Sequence, residues 1–191
     1  MNSAGVQQLS ALADLLAEAV SFCRPASVAI LGIAGGNGLD RINRNVTHRI
    51  VGLDLNPVYL NVVRQRYPRL PGLELHCIDL AEDDLDLEPV QLVHAGLVFE
   101  HAGVERCLEN ALSLVANGGA LSVVLQLPSQ IEHKVGPSNF ASIQSLASQF
   151  ALVDPTWLCE TLQERGFRMK YEARRDLVAG KAFWLGIFGR D

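Results

Sequence analysis

Residues 28–40 read VAILGIAGGNGLD, and this stretch decides the fold class. Its first part belongs to the apolar run SVAILGI at 27–33, which is typical of a strand buried on both faces of a sheet. The glycines that follow predict a tight turn, because glycine adopts backbone conformations that other residues avoid. Such a turn lets a ligand approach the backbone and directs helix N–H groups at negative charge. Taken alone, it fits a phosphate cradle, a nucleoside pocket or a turn used only for packing.

Strands and helices alternate on either side of this turn. Further strands are predicted at 49–55, 73–78, 90–95 and 120–127. Helices are predicted at 3–23, 39–45, 57–67, 104–116, 143–149 and 154–165, and the fifth of these lies in an otherwise irregular polar segment. The last two strands, 167–176 and 181–189, flank Ala179-Gly180 and should pair as an antiparallel hairpin. The pattern predicts an α/β fold with a Rossmann-like, doubly wound sheet of seven strands, mostly parallel, with a C-terminal antiparallel hairpin.

The 191 residues suit a single domain, 1–191. Its expected parts are the N-terminal helix at 3–23, a core at 27–127, a segment at 128–153 that covers the substrate, and a closing helix and hairpin at 154–191. Hydrophobic residues make up 49% of the chain and charged residues 19%, which is a globular composition. The net charge of −5 argues against a protein that binds nucleic acid through bulk electrostatics.

The sequence shows no motif for metal binding, no membrane span and no signal peptide. The four cysteines form no C-x-x-C pair and the five histidines form no H-E-x-x-H motif, so no metal site is expected. The apolar N-terminal helix carries Asp14 and Glu18 and has no basic residue before it, unlike a signal peptide. No stretch reaches the roughly 18 uncharged apolar residues that a bilayer span requires. The expectation is a cytoplasmic protein without a membrane partner.

Two carboxylates follow the glycine turn at the ends of successive strands. Asp54 ends the second strand, about 20 residues beyond the glycines, where a carboxylate can accept both hydroxyls of a ribose. Asp79 ends the third strand, and in a doubly wound sheet that end faces the same crevice. Asp79 either meets an exocyclic amine or belongs only to the acidic loop that follows. Together these residues favour a nucleoside site.

In these features the sequence resembles the class I S-adenosylmethionine-dependent methyltransferases over nearly its whole length. The family pattern is a G-x-G-x-G turn, an acid that ends the second strand, a Phe-Glu-His type signature after the fourth strand, and an Asn-Gly-Gly type turn before the fifth. The stretches that carry the resemblance are ILGIAGGNGLD (30–40), VGLDLNPVYL (51–60), HCIDL (76–80), LVHAGLVFEH (92–101) and ANGGALSVVLQLPS (116–129).

The resemblance implies S-adenosyl-L-methionine as cofactor, S-adenosyl-L-homocysteine as product, and no metal. In this interpretation the glycine turn holds the methionine end, Asp54 and Leu55 hold the ribose and the adenine face, and Asp79 with the Leu80 N–H reads the adenine edge. His94 and Ala95 then lie near the amino group and the sulfur. The implied cofactor-binding residues are Gly32, Ile33, Ala34, Gly36, Asn37, Gly38, Asp54, Leu55, Asp79, Leu80, His94 and Ala95.

The implied reaction transfers a methyl group to an O, N, S or C nucleophile of a small or medium-sized acceptor. His101 and Glu100 are the candidate catalytic residues, and Gln130, His133 and Phe140 are the candidate substrate contacts. A His101 that is buried and held by a backbone carbonyl is the alternative to a base. The hairpin edge strand and the first helix are the surfaces through which a homodimer would form.

Departures from the family pattern keep two other interpretations open. Ala34 replaces the first glycine, Gly32 stands where the family usually has an acid, and Gln91 stands where it often has one. Asp40 is the candidate replacement for the missing acid. The alternatives are a non-catalytic relative that binds S-adenosylmethionine or a protein partner, and an NAD(P)-dependent oxidoreductase. The hairpin and the lack of a Tyr-x-x-x-Lys motif argue against the oxidoreductase.

Overall fold

The computed structural model describes residues 4–128, 151–177 and 180–190. The α-helices in this part of the chain are α1 (Ala4–Cys23), α2 (Pro57–Arg66), α3 (Phe99–Ala102), α4 (Glu105–Ser113) and α5 (Pro155–Glu164). The strands are β1 (Ser27–Leu31), β2 (Arg49–Asp54), β3 (Leu73–Cys77), β4 (Val90–Gly96), β5 (Val115–Leu127), β6 (Phe167–Asp176) and β7 (Ala182–Arg190).

The strands form one sheet in the order β3-β2-β1-β4-β5-β7-β6. Strands β1 to β5 pair in parallel, whereas β7 lies antiparallel between β5 and β6. The predicted doubly wound sheet with its C-terminal hairpin is therefore confirmed. The hairpin turn includes Ala179, which lies outside the described residues.

Apolar side chains cover both faces of the sheet, as continuous apolar strands require. One core contains Leu31, Leu53 and Val93 from the sheet and packs under α4 and α5. The other contains Ile30 and Ile50 and packs under α1 and α2. The alternation of strand side chains decides which core each residue joins, and the parallel direction of β1 to β5 brings their carboxyl ends to one edge of the sheet.

Polar caps start two helices where the sequence predicts them. The Asn56 side chain accepts a hydrogen bond from the Val58 N–H at the start of α2, and the Asp154 side chain accepts one from Thr156 at the start of α5. In each helix a proline occupies the first turn, where its missing N–H costs nothing.

The helix predicted at 39–45 is wrong. A 3₁₀ helix of three residues, Leu39–Arg41, stands in its place. Its N-cap, Gly38, has a φ of 88° and provides no side-chain cap. The chain continues from there through turns to β2, so no extended helix dipole follows the glycine turn.

The helix predicted at 104–116 is too long, and the strand predicted at 120–127 is too short. Helix α4 ends at Ser113 and β5 begins at Val115, which pairs with Val90. The next pair is Leu92 with Ala120, so residues 116–119 form a bulge opposite β4. Asn117-Gly118-Gly119 therefore lies in this bulge and does not end a helix. The helix predicted at 143–149 lies outside the described residues.

Candidate functional site

The carboxyl ends of the parallel strands bring most of the predicted site residues to one edge. Leu31 at the end of β1 is in register with Leu53 on one side and with Ala95 on the other. Asp54, the last residue of β2, is in register with Cys77 of β3. The glycine turn, Asp54 and the end of β4 are thus neighbours at this edge, as the order of the strands predicts.

The turn after β1, residues 32–38, which we call the glycine loop, has an unusual backbone. Its alternate residues Gly32, Ala34, Gly36 and Gly38 all have positive φ, between 47° and 88°. A side chain at Gly36 would be strained, because its φ is 74° and a Cβ there would lie 3.0 Å from Cε2 of Tyr67. Ala34 is the one member that is not glycine, so it carries some strain that its neighbours must offset.

Asp54 holds the strained Ala34 in place. Its Oδ2 accepts a hydrogen bond from the Ala34 N–H at 2.8 Å, and its Oδ1 accepts one from the Asn56 N–H at 2.8 Å. The side chain is only 9% exposed. Each carboxylate oxygen has two lone pairs, so both oxygens keep the capacity to accept a hydroxyl as well. The residue expected to bind the ribose therefore also shapes the glycine loop.

Contacts from α1 and α2 hold the glycine loop on two sides. Asn37 donates through Nδ2 to the Leu9 carbonyl of α1 at 2.6 Å. The hydroxyl of Tyr67, just past α2, donates to the Gly36 carbonyl at 3.1 Å. Sequence reasoning missed Tyr67, since the only signal was an aromatic residue before a proline at a helix end.

The side of the site next to β2 and β3 is apolar and partly open. Leu55 is 58% exposed, which leaves an apolar surface directly beside the Asp54 carboxylate. Asp79 accepts the Ala81 N–H through Oδ1 at 2.9 Å and so caps an acidic turn. Asn110 of α4, also missed from the sequence, donates through Nδ2 to the carbonyls of Leu80 at 3.0 Å and Asp83 at 2.9 Å. These bonds fix the position of the buried Leu80.

His94 lies within β4 and is buried against the α1 side of the sheet. Its Nδ1 is 3.1 Å from Oγ of Ser122 on β5. Burial lowers the pKa of His94 to about 4, so the imidazole is neutral at physiological pH. Ala95, the next residue, is buried on the opposite face.

Glu100 and His101, the candidate catalytic residues, differ sharply in environment. Glu100 is fully buried; its Oε1 accepts the Gln126 N–H at 2.8 Å, and its Oε2 has no hydrogen-bond partner in the structure described. Burial raises the pKa of this carboxyl. His101 is exposed, although desolvation lowers its pKa below the usual value. Burial of His101, the alternative to a base role, is not what the structure has.

The remaining sequence-based expectations fall into three groups. Gln130, His133 and Phe140 lie outside the described residues. Within the described ranges, no group of three or more His, Cys, Asp or Glu side chains is placed to hold a metal ion. No helix in those ranges is long and apolar enough to cross a bilayer.

The residues at this edge fit S-adenosylmethionine. The Asp54 carboxylate, which has spare lone pairs for hydroxyls, lies between the glycine-rich loop, which suits an amino-acid end, and the exposed Leu55, which suits a flat ring. Gly32 places no acid beside the loop, and a Cβ there would make only an ordinary 3.4 Å contact with Val98.

Comparisons with known proteins agree with this geometry. A family model described as a methyltransferase domain matches residues 30–123. A comparison with curated proteins found no sequence that matches this chain.

Solved structures share the fold at low sequence identity. The N-methyltransferase NodS from Bradyrhizobium japonicum WM9 is 14% identical, with a TM-score of 0.68 over 95% of this chain and 96% of that one. Magnesium protoporphyrin IX methyltransferase (ChlM) from Synechocystis PCC 6803, crystallised with bound SAM, is 13% identical, with a TM-score of 0.70 over 97% and 81%. The [4+2]-cyclase SpnF is 13% identical, with a TM-score of 0.69 over 94% and 80%. Together with the matched methyltransferase-domain model and the sheet order, these matches show that the chain has the fold of the class I S-adenosylmethionine-dependent methyltransferases.

Proposed function

We propose that this protein binds S-adenosylmethionine along the carboxyl edge of β1, β2 and β4, and that it methylates an O, N, S or C nucleophile of a small or medium-sized acceptor. The observation that carries the proposal is the Asp54 carboxylate, which bonds the glycine loop and the start of α2 and keeps lone pairs for a ligand. S-adenosylmethionine supplies a methyl group on a sulfonium, which is a strong electrophile.

The chain's own residues bind and orient the two ends of the cofactor in this proposal. Asp54 accepts the ribose hydroxyls, and the exposed Leu55 packs against the adenine face. Asp79 and the Leu80 N–H face the adenine edge, and Asn110 holds the backbone on either side of this turn through the Leu80 and Asp83 carbonyls. The backbone from Gly32 to Gly38 holds the methionine end, and His94 and Ala95 line the wall formed by β4.

On the acceptor side, the two candidate residues take different roles. His101 is the proposed base, because it is exposed and its lowered pKa favours the neutral form that accepts a proton. Glu100 is proposed as a positioning residue, because its carboxyl already bonds the β5 backbone at Gln126. Gln130, His133 and Phe140 are proposed to contact the acceptor as part of the segment 128–153.

The proposed setting is a single-domain cytoplasmic enzyme of 191 residues with a small-molecule acceptor. Bulk nucleic acid and membranes are not proposed as partners, in keeping with the net charge of −5. A homodimer would form through β6, the hairpin edge strand, or through α1.

A non-catalytic relative is the second candidate function. Gly32 supports it, because the acid expected beside the loop is missing there. SpnF, which is described as a [4+2]-cyclase, is a reminder that this fold alone does not specify methyl transfer.

Calorimetric titration tests the proposal directly. S-adenosylhomocysteine should bind the wild type with micromolar affinity, whereas NADH, the ligand of the alternative oxidoreductase, should not. Turnover is then followed as release of S-adenosylhomocysteine with a panel of amine, phenol, thiol and carboxylate acceptors. Binding without turnover on a broad panel favours the non-catalytic relative, and binding of NADH alone contradicts the proposal.

A further inference from the structure

The segment after the glycine loop lacks the helix that would otherwise order it. Only Leu39–Arg41 is helical, and Gly38 offers no side-chain cap. The backbone from Gly36 to Asp40 must therefore be ordered by contacts from elsewhere in the fold. Asn37 supplies one of these contacts through its bond to α1, and Tyr67, the C-cap residue of α2, supplies those on the opposite side.

The Tyr67 side chain contacts this segment at two places. Its hydroxyl donates to the Gly36 carbonyl at 3.1 Å, and its ring fills the space where a Gly36 side chain would stand. Burial is the main cause that raises the pKa of Tyr67, and a hydrogen bond from the Asp40 backbone works against that rise. The hydroxyl is thus protonated at physiological pH, as its donation to the Gly36 carbonyl requires.

Arg66 adds a second, weaker contact. Its Nη1 donates to the Gly35 carbonyl at 3.3 Å. Its guanidinium carbon lies 5.3 Å from the centroid of the Tyr67 ring, which is within the range of a cation–π contact. Successive carbonyls of the glycine loop are therefore bonded to successive residues at the end of α2.

Because the trans peptide is planar, a bond that fixes a loop carbonyl also fixes the direction of the next N–H group. The C=O of one residue and the N–H of the next point in opposite directions. Because the Gly36 carbonyl points at Tyr67, the Asn37 N–H points away from α2. The Gly35 carbonyl likewise fixes the Gly36 N–H, which donates to the Ile33 carbonyl at 3.0 Å.

We infer that Tyr67, assisted by Arg66, is a positioning residue that orders the glycine loop in place of the missing helix and sets the direction of the Asn37 N–H, which would face the methionine end of the cofactor. This inference rests on the proposed function. It assigns no contact with the ligand to Tyr67 itself, so its removal should affect cofactor affinity more than the chemical step.

Tyr67→Phe tests the inference, because it keeps the ring and removes the hydroxyl. We expect affinity for S-adenosylhomocysteine to fall about 5-fold, the equivalent of one neutral hydrogen bond. KM for S-adenosylmethionine should rise by a similar factor while kcat stays within about 2-fold. Amide hydrogen exchange of residues 35–40 should become faster even without ligand.

Tyr171→Phe is the matched control. It removes a hydroxyl that donates to Oε1 of Glu18 at 2.5 Å, between β6 and α1. It should lower stability without a change in affinity or in the exchange of residues 35–40. Equal loss of affinity in both variants would mean general destabilisation and would overturn the inference.

Three further outcomes are decisive. If Tyr67→Phe binds S-adenosylhomocysteine as the wild type does, the positioning role is wrong. If Tyr67→Phe fails to fold, Arg66→Met removes only an exposed contact and should weaken binding about 2-fold; unchanged binding would then reject the role. If the wild type itself does not bind, the proposed function fails, and hydrogen exchange of residues 35–40 still decides whether Tyr67 orders the loop.

Discussion

Asp54→Asn is the substitution that most directly separates the two tasks of the site. The amide has one accepting oxygen where the carboxylate has two, so it can accept from Ala34 or from Asn56 but not from both. The NH₂ group of the amide must then face a backbone N–H, and two donors cannot form a hydrogen bond with each other. The change also removes the charge that a ribose hydroxyl would meet.

The expected magnitudes follow from the number of bonds lost. The carboxylate accepts two hydrogen bonds, and each contributes about 1.5–3 kcal/mol because the acceptor is charged. The amide replaces both with one neutral bond of about 1 kcal/mol. The net cost to folding is therefore about 3 kcal/mol if each charged bond contributes about 2 kcal/mol. In a domain of this size that cost lowers Tm by about 6–12 °C. Losing the charged acceptor for the ribose should weaken S-adenosylhomocysteine binding by a further 1.5–3 kcal/mol, or about 10- to 150-fold.

Thermal unfolding and calorimetric titration give the two readouts, with Asp176→Asn as control. Asp176 is exposed and accepts one bond from Nε of Arg174 at 2.9 Å, so its substitution should change stability by less than about 0.5 kcal/mol and leave affinity unchanged. A large loss of Tm without a loss of affinity would make Asp54 purely structural. If the variant kept the wild-type Tm and the wild-type affinity for S-adenosylhomocysteine, both tasks assigned to Asp54 would be wrong.

Two buried groups predict opposite responses to pH. Burial lowers the pKa of folded His94 to about 4, whereas the unfolded chain has the ordinary value of 6.5. Above pH 6.5 the imidazole is neutral in both states, and the folded state loses no stability. As the pH falls towards 4, only the unfolded chain takes up the proton, which lowers the free energy of unfolding by about 3 kcal/mol. His94→Gln should flatten the stability–pH curve in urea denaturation across that window, and a curve parallel to the wild type would contradict this. The raised pKa of Glu100 means that its penalty is absent below 4.5 and grows as pH rises through the folded pKa. Glu100→Gln, which keeps an acceptor for Gln126, should therefore gain Tm over the wild type towards neutral pH, whereas a pH-independent difference would show that Glu100 is ionised without cost.

The strands could be predicted from the sequence because their pattern is strong and local. The predicted bounds of β6 match those of the structure, β2 and β3 differ by one residue at one end, and β7 is shifted by one residue at both ends. Continuous apolar runs, ended by glycine or a polar residue, leave few alternatives for a strand buried on both faces. The same regularity placed Asp54 at the edge of the sheet.

The errors concern places where tertiary contacts override local propensity. Residues 39–45 have a helical pattern, yet the chain before them packs closely against α1. A Cβ placed on Gly38 would lie only 3.1 Å from Cα of Ala13. Asn117-Gly118-Gly119 resembles a helix stop, yet a Cβ on Gly119 would lie 2.9 Å from the Gln91 carbonyl, so the glycine is needed for the bulge against β4. Neither contact has a signal in the nearby sequence.

The position of the residues proposed to face the ligand could be predicted from the sequence, whereas the residues that support them could not. Gly36, Asp54 and Leu55 follow from strand ends and turn chemistry. Tyr67 and Asn110 reach the site from the end of α2 and from the middle of α4, about 30 residues away from the carbonyls they bond. Such long-range bonds depend on the packed fold, so sequence spacing does not reveal them.

The place of β7 in the sheet has a consequence for how the protein is made. It is the last of the seven strands in chain order, yet it lies between β5 and β6 and supplies side chains to both cores, among them Phe183, Leu185 and Ile187 to one and Trp184 and Phe188 to the other. During synthesis β5 emerges long before the strand that pairs with it, so a nascent chain exposes an apolar strand edge while translation continues. Any chaperone that shields that edge until β7 has been made should therefore raise the yield of folded protein.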